Sequence, residues 1–118
     1  MTRLFSALLG LTFCIGFSQG TQLLRQPTLH DDTVVFVYAN DLWKASVNGG
    51  TAIRLTSDEG YESNPHFSND GKYIAFTAQY DGNVDVFVVP SEGGEPQRLT
   101  YHPTGDYVQG WTPDGKVL

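Results

Sequence analysis

Ile74, Phe76 and Ala78 alternate with Tyr73, Ala75 and Thr77 along the stretch KYIAFTAQ, residues 72–79. A period of two sends these two sets to opposite faces of one strand. The stretch VDVFVV repeats the pattern. Val84, Val86 and Val88 share one face, and Asp85, Phe87 and Val89 the other. VVFVY, residues 34–38, is apolar throughout. Strands that are apolar on both faces are sandwiched between other layers rather than half-solvated. Turn dipeptides separate the runs: Asn48-Gly49, Asp70-Gly71, Asp81-Gly82 and Asp114-Gly115. Such pairs accept a positive φ at low steric cost, which tight hairpins require. Beyond residue 21 no stretch carries a convincing helical period, so the predicted elements are all β.

The chain also repeats itself. VNGGTAIRLT spans Val47–Thr56 and SEGGEPQRLT spans Ser91–Thr100, so Gly49-Gly50 and Gly93-Gly94 lie 44 residues apart. At the same offset Asp41-Leu42-Trp43 falls on Asp85-Val86-Phe87, Phe67-Ser68-Asn69 on Trp111-Thr112-Pro113, and Asp70-Gly71-Lys72 on Asp114-Gly115-Lys116. Pro27-Thr28-Leu29 matches Pro65-His66-Phe67 at an offset of 38. The copies run 27–56 and 65–100, with a third opening near Val108 and occupying 108–118.

The second copy parses into four strands at 64–68, 73–79, 84–90 and 96–100. Four strands repeating every ~40–45 residues are the signature of a β-propeller blade. The fold class is therefore all-β, with antiparallel four-stranded blades numbering about two and a quarter. The double glycine becomes the turn between third and fourth strands, and Arg-Leu-Thr the outer edge strand. Leu55 and Leu99 are expected in the packing. Arg54 and Arg98 are expected to point outward and charge an edge that would otherwise pair with another sheet. Phe76 and Phe87 are expected buried, and Lys72 and Arg98 exposed.

The first twenty residues stand apart. Arg3 precedes the uncharged, mostly apolar run Leu4–Phe17, and Ser18-Gln19-Gly20 supplies small residues for cleavage before Thr21. That is the layout of a secretory signal peptide over residues 1–20. The run is short for a membrane span, which needs roughly 20 apolar residues. The expected destination is the bacterial periplasm or the secreted space. Cys14, the sole cysteine, falls inside this run, so the mature chain would carry none. The chain holds 13 acidic and 7 basic residues. Removing Arg3 leaves 13 against 6, which disfavours nucleic acid and anionic lipid as partners.

NPHFSNDGKYIAF, DGNVDVFVVPSEGGEPQRLT and GWTPDGK resemble the Pro-Asp-Gly repeats of TolB-like propellers. The ordered series VVFVYANDLW, ESNPHFSNDGKYIAFTAQYDGNVDV and RLTYHPTGDYVQGWTPDGK resembles the N-terminal propeller of tricorn proteases, over nearly the whole mature chain. One departure is Asn69, which stands where the family's turn has proline. The resemblance implies a large serine peptidase in which two propellers, filtering and channelling peptides, precede a scaffold-like domain and a catalytic core. It places the catalytic serine, histidine and acid far downstream, so none is carried onto this chain. Val117-Leu118 stand at the start of a strand, so the chain is expected to be an N-terminal fragment of a longer gene product; with blade faces left open it is expected to fold poorly alone, and with no serine in a usable nucleophile context to lack peptidase activity. The implied partners are peptide substrates, met through the parent enzyme, and the other domains of the same chain; homo-oligomerisation stays open. A non-catalytic TolB-like propeller that docks periplasmic proteins is the alternative. A propeller attached to an amidohydrolase or a prolyl-oligopeptidase-type enzyme is a third reading.

Site by site, the residues point to no chemistry. GFSQG, residues 16–20, matches Gly-x-Ser-x-Gly, but that elbow requires a strained strand-to-helix turn, and Ser18 follows a signal-peptide run. His30, His66 and His102 are spaced by 36 each, which fits no metal motif. His66 would lie on an innermost strand, where it could face a channel. Asp58, Glu59 and Glu62 fall together in SDEGYESN and read as a solvated acidic loop. SNDGK and YDGNVD are too short for a calcium loop. Gly49-Gly50 and Gly93-Gly94 open no helix and cradle no phosphate. Tyr61, Tyr80, Tyr101, Tyr107 and Trp111 read as core or interface packers. No catalytic, cofactor-binding or metal-ligating residue is assigned.

Overall fold

The structure, a computed structural model, describes residues 24–118. Residues 1–20, expected to be a signal peptide, lie outside the described part, Cys14 and Ser18 among them. Eight strands follow in chain order: β1 (Arg25–His30), β2 (Thr33–Tyr38), β3 (Asp41–Ser46), β4 (Ile53–Arg54), β5 (Tyr61–Phe67), β6 (Tyr73–Gln79), β7 (Asp85–Pro90) and β8 (Gln97–Arg98). They form two four-stranded antiparallel sheets, β1-β2-β3-β4 and β5-β6-β7-β8, each an up-and-down meander. Backbone approach between the sheets is confined to β5, which runs close to β1, β2 and β3. The edge strands β4 and β8 do not meet. Two meanders in contact at their first strands and diverging towards their fourth have the wedge geometry of propeller blades.

The alternation read from the sequence is the alternation observed. Ile74, Phe76 and Ala78 of β6 join Phe87 and Val89 of β7 against Val35, Val37, Leu42 and Leu55 of the first blade. The Phe76 and Phe87 rings stack at 5.9 Å, and Tyr80 meets Phe87 edge-on at 4.8 Å. Ala75 and Val86, on the opposite face, pack with Val108 and against Trp111 and Val117. Blade two is thus covered on both sides. The segment 108–118 is tied to it by Val108 N–H donating to Thr77 Oγ1 at 3.0 Å and Trp111 Nε1–H donating to the His66 carbonyl at 2.9 Å. A single bridge, Trp111 to Val117, is the β pairing within that segment.

The hairpin chemistry has two sources. Gly49 and Gly93 take positive φ of 105° and 103° between third and fourth strands, as the double glycines require. The β2–β3 turn instead uses Ala39 and Asn40, both at positive φ (50° and 72°), a mirror-image turn without glycine. Gly71 combines two constraints: φ is +73°, and a Cβ there would collide with the His30 imidazole across the blade junction. Gly71→Ala is expected to destabilise the protein by roughly 1–3 kcal/mol. His30→Ala in the same chain should relieve the collision and leave the backbone strain, which denaturant unfolding of the two variants would resolve.

Several expectations are corrected. The first strand of blade two spans Tyr61–Phe67, longer than 64–68, because a bulge between Ser63 and His66 lets its pairing with β6 resume beyond Pro65. Leu99 is exposed although Leu55 is buried. The positions are equivalent in the two blades, but blade two covers Leu55, while the packing of residues 108–118 is on Ala75 and Val86. Tyr61, Tyr101 and Tyr107 are exposed. Tyr80 and Trp111 are the two that pack.

Candidate functional site

The Arg-Leu-Thr repeat does the same work in both blades. Leu55 N–H donates to the Leu42 carbonyl at 2.7 Å, and Leu99 N–H to the Val86 carbonyl at 2.8 Å. The threonine hydroxyl then accepts from the third strand: Leu42 N–H to Thr56 Oγ1 and Val86 N–H to Thr100 Oγ1, both 2.9 Å. The arginine Nε–H folds back onto the threonine carbonyl at 2.9 Å in each copy. Its Nη2 pairs with the first residue of the third strand, Asp41 at 2.7 Å and Asp85 at 2.6 Å. The two-residue edge strand is thereby extended by side chains, satisfying third-strand groups that would otherwise be buried without partners.

This corrects the expectation of an outward-pointing, exposed Arg98, while Arg54 is exposed as expected. Arg98 is only 23% exposed at its side chain, and the carboxylate it holds, Asp85, is 1% exposed. It also lies 4.5 Å over the Tyr101 ring. Arg54 is 48% exposed, and Asp41 12%. Lys72 is exposed, as expected.

Polar groups converge where β5 enters the junction. The sequence places Glu62 with Asp58 and Glu59 in one solvated acidic loop, and the structure separates them. Asp58 and Glu59 are exposed, but Glu62, inside β5, is 3% exposed. Its Oε2 receives Leu42 N–H at 2.9 Å and meets the Thr56 hydroxyl, while its Oε1 meets the Tyr80 hydroxyl. One side chain thus joins β3 and the edge of blade one to the end of β6 in blade two. Burial raises the Glu62 carboxyl above the ordinary glutamate value of 4.5, against the lowering effect of its hydrogen bonds. Burial and the neighbouring Glu62 push the Tyr80 hydroxyl far above its usual range. Only a burial signal would have separated Glu62 from its acidic neighbours, and its place two residues before Asn64-Pro65 offered none.

Further along the first strands, Gln26 and Asn64 take positive φ (52° and 51°), each immediately before a proline. The residue preceding proline is sterically restricted, so both bulges carry strain. Their side chains lock together: Gln26 Nε2 donates to Asn64 Oδ1 at 3.0 Å, and Asn64 N–H to Gln26 Oε1 at 2.9 Å. Asn69, in the place of the family's proline, donates from Nδ2 to the Thr112 carbonyl at 2.9 Å, bridging towards the third repeat.

The histidines are dispersed among these contacts. His30 tilts against Phe67 at 5.7 Å, with Nε2 3.5 Å from Asp31. His66 donates from Nδ1 to the Asn64 carbonyl at 2.9 Å, an acceptor that fixes the tautomer. His102 is exposed, 3.4 Å from Asp106. Among the described residues no three His, Cys, Asp or Glu side chains gather into a metal-holding group. Thr33 lies opposite His30 across the β1–β2 pairing, but among the described residues no serine or threonine hydroxyl is hydrogen-bonded to a histidine. Among the buried polar side chains, Glu62 has bonds that run from blade to blade, while Asp41 and Asp85 are bonded within their own blades.

Repeated four-stranded meanders, wedged at their first strands and clamped at their fourth, define a β-propeller. The family model for the tricorn protease N-terminal beta propeller domain matches residues 21–118, and the chain belongs to that family. It is 41% identical over 96 residues to tricorn protease homolog 1 of Streptomyces coelicolor, covering 80% of this chain and 9% of that protein. It superposes on the crystal structure of the tricorn protease with a TM-score of 0.69 at 31% identity, covering 80% of this chain and 10% of that one. TolB from Acinetobacter baumannii aligns with a TM-score of 0.67 at 25% identity, covering 78% of this chain and 25% of that one. The chain therefore spans about a tenth of the length of these two tricorn relatives.

Proposed function

We propose that this chain forms the opening blades of an exported, tricorn-like serine peptidase and that it gates or channels peptides towards a catalytic core outside residues 1–118. The observation that carries this reading is the unbroken match of residues 21–118 to the tricorn N-terminal propeller. The polar inventory supports it: buried Asp85 is held by Arg98, and buried Thr56 and Glu62 are bonded to each other and to the Leu42 amide across the blade junction. The partners are then peptide substrates and the remaining domains of the same enzyme. Export rests on Arg3, the run Leu4–Phe17 and the small residues before Thr21.

The test uses the full-length gene product made in a bacterial host. Mass spectrometry of the exported protein should find a mature chain beginning near Thr21, and retention of residues 1–20 would sink the export claim. Purified protein should cleave fluorogenic peptides and lose that activity to a serine-directed inhibitor. A role in gating further requires that loosening the blade junction, as in Phe76→Ala, alter cleavage of long peptides relative to tripeptides. The TolB likeness favours a second reading, a non-catalytic propeller that docks periplasmic proteins. Purified protein that hydrolyses no peptide under any condition would favour that reading.

A further inference from the structure

Glu62 sits at the blade junction with an unusual set of neighbours. Three donors or hydroxyls touch its carboxyl: Leu42 N–H, Thr56 and Tyr80. The ion pairs of the described residues include none to Glu62. The charged groups around it are Asp41, whose negative charge opposes ionisation and which Arg54 holds, and Asp58, felt through Tyr80. Both hydroxyls are placed to donate to the carboxyl, and each can also turn to accept, so a proton on Glu62 can be donated to Thr56 of blade one or to Tyr80 of blade two. An ionised Glu62 would instead be a buried charge without a counter-ion.

We propose that Glu62 is a proton-operated latch between the first two blades, closed when its carboxyl is neutral and loosened when it ionises. The folded protein holds the Glu62 proton to higher pH than the unfolded chain, whose glutamate titrates near 4.5. Folded-state proton binding then exceeds unfolded-state binding in the window just above that value. Stability from this site is full below the window and falls as pH rises through it. Asp70 and Asp114 carry the opposite sign. The Lys72 amide and the Ser68 hydroxyl lower Asp70, and the Thr112 and Lys116 side chains lower Asp114, so their contribution is lost as pH falls, in wild type and in a Glu62 variant alike.

The molecule contains its own control. Leu42 and Val86 are equivalent amides, each bonded to the repeat threonine, but only Leu42 also donates to a carboxyl. Hydrogen exchange in the full-length protein, followed by mass spectrometry on segments covering residues 39–46 and 84–90, gives the ratio of their protection. Taking the ratio removes the intrinsic pH dependence of exchange. In wild type, protection of 39–46 relative to 84–90 should fall severalfold as pH rises from 4.5 through the window. Glu62→Gln, a permanently neutral mimic, should hold it flat. A ratio that is flat or rises with pH in wild type, or one that falls equally in Glu62→Gln, overturns the latch. Should Glu62→Gln fail to fold, a carbon-13 titration of the wild-type Glu62 carboxyl decides. A midpoint above the ordinary glutamate value supports the proposal, and one at or below it refutes it.

Discussion

Replacing Phe76 with alanine should cost about 3–5 kcal/mol, the range for deleting a buried aromatic ring. Phe76 is fully buried in β6, on the face that meets blade one. Its ring stacks on Phe87 at 5.9 Å and shares a cluster with Val35, Val37 and Leu42 of the neighbouring sheet. Truncation removes transfer energy from the ring and leaves a cavity walled by two sheets, neither of which can collapse without disturbing strand pairing. Ala75→Gly, one residue away on the opposite face, deletes a single methyl and should cost far less. Denaturant unfolding of the full-length protein would compare them. An unchanged midpoint for Phe76→Ala would mean that the assigned strand register is wrong.

The second large effect concerns the repeated arginine, and it should differ between the blades. Arg98→Met leaves Asp85, 1% exposed, as an uncompensated buried charge whose Oδ1 has no partner even in the intact protein. Breaking a buried pair from one side typically costs ~3–5 kcal/mol. Arg54→Met removes the equivalent contact, but Asp41 is 12% exposed and Arg54 is 48% exposed, so water can take over part of the arginine's role. Its cost should be nearer ~1 kcal/mol, as for pairs at the surface. The double variant Arg98→Met with Asp85→Leu should recover much of the loss, because removing both charges removes the desolvation penalty. Equal costs for the two arginines would show that the copies are energetically as well as sequentially equivalent. No recovery in the double variant would mean that the stem packing of Arg98, not its charge, carries the effect.

Local chemistry wrote much of this fold into the chain. A period of two in residues 73–79 and 84–89, with glycine turns between, was enough to place β6 and β7 and to name the faces of Phe76, Phe87 and Val86. Side-chain direction in a strand follows from the pleat alone, so alternation survives translation into three dimensions. The repeat at 44 residues named the blade, because a four-stranded unit that is apolar on both faces must stack on copies of itself. Missed by the same reading were contacts between residues distant in sequence. Arg98 looks like an edge charge until β7 folds alongside and brings Asp85 within 2.6 Å. Glu62 looks like its neighbours Asp58 and Glu59 until blade one closes over it. Leu55 and Leu99 are the same letter in the same motif, and one is buried while the other is exposed. Pattern and propensity determine which way a side chain points from its own strand. Whether it then meets water, a counter-ion or another sheet is set by which blade lies opposite, and that is a property of packing between segments that no local window contains.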